Sequence, residues 1–119
     1  MAEWKSVGAD AMLVDGNMTE IRVNGIRILL ARVQGSYYAV QGACAHMGGT
    51  LAGGTLTGFV VQCPRHRSQF DVRDGHVVAW ITGITGVART VAETVKRPRP
   101  LQSYRTRLLD GQVWVEITS

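Results

Sequence analysis

Both cysteines of this 119-residue chain, and two of its three histidines, lie in two short segments, Cys44-Ala45-His46 and Cys63-Pro64-Arg65-His66. Sixteen residues, 47 to 62, separate His46 from Cys63. Two thiols and two imidazoles at such short spacings read as ligands of one metal centre rather than as a disulfide. A fold that serves them must bring two separate loops face to face. That requirement constrains the chain more than any other feature of it.

The sequence around these segments is read most simply as an antiparallel β scaffold. Trp4 to Val7 is predicted as a first strand. Met18 to Val23 and Ile26 to Arg32 flank Asn24-Gly25, a pair that tolerates the positive φ angles of a tight hairpin. Gln34-Gly35-Ser36 is the next turn, and Tyr37 to Gln41 is a third strand that runs directly into Cys44. Gly42 to Gly58 contains six glycines and little periodicity, and is predicted as a loop whose backbone can approach a bound group closely. Phe59 to Gln62 then delivers Cys63. Gln69 to Val72 and His76 to Ala79 form a hairpin about Arg73-Asp74-Gly75, with His76 expected at the surface. Tyr104 to Leu109 and Val113 to Ile117 form another about Asp110-Gly111.

One segment breaks the β pattern. Val87, Ala88, Val91, Ala92 and Val95 share one helical face, with Pro98 as a stop, so a short helical insertion is expected around 83–96 within the stretch 81–97. Residues 1–119 are expected to form a single domain. No apolar run is long enough for a membrane span, and the N-terminus lacks a signal-peptide pattern, so the expected location is cytoplasmic.

Four ligands of this kind suit zinc or iron–sulfur chemistry, and both remain open on composition alone. The zinc fingers that use two cysteines and two histidines place both cysteines first. Here the order alternates. The segments Cys44-x-His46-x-Gly48 with Leu51, and Cys63-Pro64-x-His66 with Phe70-Asp71, resemble the two cluster-binding loops of Rieske [2Fe–2S] proteins. The likeness extends to Tyr37-x-Ala39-Val40, Asp74-Gly75 and Pro100-Leu101.

The resemblance implies a small all-β, antiparallel Rieske-type β-sandwich with the cluster-binding loops at one tip. It implies that Cys44 and Cys63 bind the inner iron, and that His46 and His66 bind the outer one. Gly48, Leu51, Ser68, Phe70 and Pro98 would surround the cluster. Two ferric ions, two sulfides and two thiolates balance in charge, so one-electron reduction leaves a single negative charge. Neutral imidazoles in place of two thiolates therefore raise the potential, to roughly −150 to +300 mV across such centres. Rieske proteins of cytochrome bc complexes share the hydroxyl at Ser68, but carry a tyrosine where Phe70 stands and a loop disulfide that this chain lacks. A low to intermediate potential is expected, falling at alkaline pH.

The implied function is a soluble one-electron carrier, a ferredoxin that takes electrons from a flavoprotein reductase and passes them to an oxygenase. It would be an electron-transfer component without catalysis of its own, since no second mononuclear-iron ligand set remains once His46 and His66 are used. A small Rieske subunit bound to a larger oxidoreductase, and a zinc-binding structural module, are the alternatives. The formal charge is +4, and the excess lies wholly in residues 59–119, with nine basic residues against five acidic. Arg65, Arg67, Arg97 and Arg99 would form an electropositive rim for an acidic redox partner. Aromatic residues do not interleave with the arginines, so nucleic acid is not an expected partner.

Overall fold

The computed structural model describes residues 2–9, 13–44, 50–64, 67–79 and 99–118. Eleven strands are found among them: β1 (Ala2–Ala9), β2 (Met18–Val23), β3 (Ile26–Val33), β4 (Ser36–Gln41), β5 (Thr55–Thr57), β6 (Val60–Gln62), β7 (Gln69–Asp71), β8 (Val77–Ala79), β9 (Ser103–Tyr104), β10 (Thr106–Leu109) and β11 (Gln112–Thr118). They form three antiparallel sheets of order β1-β11-β10, β2-β3-β4-β9 and β5-β6-β7-β8. A 3₁₀ turn, Leu51–Gly53, joins the second sheet to the third. The expected helical insertion around 83–96 lies outside the described residues.

Strand β3 explains how three sheets share their apolar faces. Its residues Ile28, Leu29, Leu30 and Ala31 are buried in succession, so both faces of the strand are covered. Side chains alternate between faces along a strand. Leu29, Ala31 and Val33 accordingly join one core with Val61, Phe70 and Val72, whereas Ile28 and Leu30 join another with Val113, Val115 and Ile117. The sheet containing β3 is therefore the middle layer. The β1-β11-β10 sheet covers one side of it, and the sheet with the second cysteine segment covers the other.

The turns follow the sequence closely. Asn24-Gly25, Gln34-Gly35 and Asp110-Gly111 all take paired positive φ angles, from 52° to 79°. Backbone twist in such turns matches that of the flanking strands, which fixes the hairpin registers. Two features differ from expectation. Within the glycine-rich stretch, Thr55–Thr57 is a strand paired with Val60–Gln62, because the turn at Gly58 brings three residues back along β6. The first strand is also longer than Trp4 to Val7, since it pairs with β11 from Ala2↔Thr118 to Ala9↔Gln112.

Candidate metal centre

The first cysteine segment leaves the end of β4. Ala43 and Thr50 form an antiparallel bridge, and the Leu51 N–H donates to the Gly42 carbonyl at 3.0 Å, so the loop that starts at Cys44 closes on a hydrogen-bonded stem. Gln41 Nε2 donates to the Ala43 carbonyl at 2.9 Å, while Gln41 Oε1 accepts from the Gln102 N–H at 2.7 Å. The stem is thus tied to the C-terminal part of the chain as well. Leu51 is fully buried and anchors the far side of the loop in the core.

The second segment is the connection between β6 and β7. The Cys63 N–H donates to the Ser68 carbonyl at 2.8 Å, and the Arg67 N–H donates to the Cys63 carbonyl at 3.0 Å. Arg67 closes this turn with φ of 59°, a conformation in which glycine is the less strained residue. Gln69 Nε2 donates to Gln62 Oε1 at 2.8 Å across the mouth of the turn. The turn that follows the first segment lies against the second: a Cβ at Gly54 would press into the Gln62 carbonyl and come within 3.1 Å of Pro64 Cδ. Only a glycine lets the turn after the first loop lie against the stem of the second.

The structure brings Cys44 and Cys63 into a single apolar cluster with Leu51, Val61 and Phe70. Both thiols are buried and neither is in a disulfide. Ser68 is buried completely alongside them. Two buried free thiols in one cluster, each two or three residues from a histidine in sequence, are a donor set that fits an iron–sulfur cluster. Phe70, in β7, is a core residue opposite Val61. His46, His66, Gly48 and Pro98 lie outside the described residues, as do Arg65 and Arg97. Arg67 and Arg99 are exposed.

Asp71, part of the motif that follows the second loop, has a partner that the sequence did not disclose. Asp71 is nearly buried, and Arg73 grips it with Nη2 on Oδ2 at 2.6 Å, Nε on Oδ1 at 3.0 Å and its backbone N–H on Oδ1 at 2.8 Å. The Arg73 side-chain hydrogen bonds hold the Asp71 carboxyl below its ordinary pKa. The same guanidinium lies 4.2 Å from the Phe59 ring centre, and Phe59 meets Tyr38 edge-on. His76 is exposed as expected, with Nδ1 2.6 Å from Asp74 Oδ1. Asp71, Asp74 and His76 offer ligand atoms within 4.8 Å of one another. Arg73 already occupies both Asp71 oxygens, so the group reads as a charge-locked turn. The D-x-x-D-x-H spacing of these residues was the available signal.

Comparison with known proteins agrees with this geometry. The family model of the Rieske [2Fe–2S] domain matches residues 3–89. The ferredoxin component of the naphthalene 1,2-dioxygenase/salicylate 5-hydroxylase systems of a Ralstonia species is 36% identical over 61 residues, which is 51% of this chain and 59% of that protein. The ferredoxin CarAc of Metapseudomonas resinovorans is 28% identical over 113 residues, 94% of this chain and 92% of its own. Among solved structures, a complex of reduced oxygenase and oxidised ferredoxin in carbazole 1,9a-dioxygenase contains a chain that superposes with a TM-score of 0.73 at 26% identity, covering 94% of this chain and 91% of that one.

Proposed function

Since this chain belongs to the Rieske [2Fe–2S] domain family, we propose that it is the ferredoxin component of an oxygenase system, carrying single electrons from a flavoprotein reductase to the oxygenase. The observation that carries the reading is the pair of buried free thiols, Cys44 and Cys63, in one apolar cluster. The near full-length likeness to a ferredoxin supports it. When bound, a [2Fe–2S] cluster supplies reversible one-electron transfer.

The chain's own residues divide the remaining work. Cys44, Cys63, His46 and His66 would hold the cluster. The buried Leu51 and Phe70 would exclude water from it, Gly48 and Pro98 would complete the surround, and the buried Ser68 would offer its hydroxyl to a cluster sulfur. Exclusion of water and hydrogen bonds to sulfur set the potential of such a centre. Arg67 and Arg99 are exposed, and together with Arg65 and Arg97 they would offer positive charge to an acidic docking surface on the partner. Among the described residues no helix is long and apolar enough to cross a membrane. Residues 1–119 act as one domain, in the cytoplasm.

The test is reconstitution. Purified holoprotein is mixed with a flavoprotein reductase and an oxygenase of an aromatic-ring dioxygenase system, and each half-reaction is followed by stopped-flow absorbance. Reduction by the flavoprotein followed by reoxidation by the oxygenase supports the reading. A protein that takes no electron from any reductase, or gives none to an oxygenase, overturns it.

A further inference from the structure

Arg27 contacts the first cysteine loop through both its backbone and its side chain. It stands in β3, opposite Arg22 of β2, with its side chain about three-tenths exposed. Its carbonyl accepts from the Gly42 N–H at 3.0 Å, two residues before Cys44. Its Nη2 donates to Thr50 Oγ1 at 2.8 Å, on the other limb of the same loop. Nε and Nη2 also donate to Glu20 Oε1, at 3.3 and 3.1 Å. Glu20 thereby fixes the rotamer that reaches Thr50, and it offsets the charge of Arg27 beside Arg22.

The chain makes room for this arrangement. A Cβ at Gly42 would lie 3.0 Å from Glu20 Oε1 and 3.2 Å from the Arg27 carbonyl carbon, so these neighbours would have to give by a few tenths of an ångström. A planar guanidinium can serve Glu20 and Thr50 together from fixed directions, which a lysine ammonium on its flexible stem cannot. Neither Thr50 nor Gly42 is a cluster ligand in the reading above. What the contacts control is the separation and orientation of the two limbs between which Cys44 and His46 are carried.

We infer that Arg27, locked by Glu20, is a positioning residue that clamps the first cysteine loop through Thr50 and so determines how rigidly the cluster is held. The inference rests on the cluster-binding reading of that loop. It assigns Arg27 no contact with the cluster itself.

The experiment compares Thr50→Val, Thr50→Ser, Arg27→Gln and the Arg27→Gln/Thr50→Val double variant as holoproteins. Three readouts are taken: the rate of cluster loss, the line width of the electron paramagnetic resonance signal of the reduced state, and hydrogen exchange at the Leu51 amide. Thr50→Val and Arg27→Gln are each expected to speed cluster loss and Leu51 exchange by about five- to tenfold, the factor an ordinary hydrogen bond represents, and to broaden the resonance. Thr50→Ser, which keeps the acceptor, stays at the wild-type values. The double variant is no faster than Arg27→Gln alone to within about twofold, because the two residues act through one contact. Unchanged loss and exchange rates in Thr50→Val, or fully additive effects in the double variant, overturn the clamp. Wild-type protein that holds no iron and sulfide would instead refute the cluster reading, while the Leu51 exchange rates still report on the clamp.

Discussion

Substitution of Ser68 by alanine isolates one hydrogen-bond donor at the proposed centre. Ser68 is fully buried, and its carbonyl is held by the Cys63 N–H at 2.8 Å. That backbone bond survives the change, so the loop keeps its path and only the hydroxyl is lost. A hydrogen bond to a charged acceptor contributes about 1.5–3 kcal/mol. The added electron makes the cluster sulfur a better acceptor, so the bond favours the reduced state. If the gain on reduction is of that size, about 59 mV for each tenfold change in a one-electron equilibrium gives a fall in potential of about 60–130 mV. The assay is a redox titration followed by visible circular dichroism, with urea unfolding as a control for intact structure. A potential that stays within about 15 mV of wild type, well below the shift just derived, or one that rises, refutes the role given to the hydroxyl.

Other perturbations test the scaffold and the docking surface. Gly75 has φ of +81° and a Cβ there would press into the Leu101 carbonyl, so Gly75→Ala combines backbone strain of about 1–2 kcal/mol with overpacking of about 1–3 kcal/mol. Gly111→Ala, at φ of +74° in open space, meets the strain alone. Equal urea midpoints for the two variants would contradict this. Asp71→Asn is expected to be less stable than wild type at neutral pH. The native carboxyl pKa lies below its ordinary 3.8, so the Asp71 contribution is complete above that value and disappears as pH falls through the lowered one. Unfolding curves should therefore converge in acid, and a gap that stays constant with pH would argue against it. Electron transfer to an acidic partner should slow as salt is added, and a rate that rises with ionic strength would reject the positive rim.

How much of this was legible before the structure depends on the range of the interaction. Asn24-Gly25, Gln34-Gly35 and Asp110-Gly111 announce hairpins because the required φ angles belong to the turn residues themselves. The pairing of Ala2 with Thr118 involves the two ends of the chain and leaves no local signature. Thr55–Thr57 was hidden by its three-residue length and its glycine neighbours. The run Ile28 to Ala31 announces a buried strand, but not that two separate cores meet across it. At the site, the motif pointed to the cysteines and Ser68, and all three are buried. Arg27 and Arg73 were not, since the partners of a long cationic side chain depend on tertiary placement. The sequence named Arg67 for its charge and did not disclose its positive φ, a conformation that suits glycine.

The most direct test of the central claim is the metal and sulfide content of anaerobically purified protein, combined with reductive titration. Two irons and two acid-labile sulfides per chain, with uptake of a single electron, are the predicted result. Zinc in place of iron, or iron without sulfide, would contradict the account.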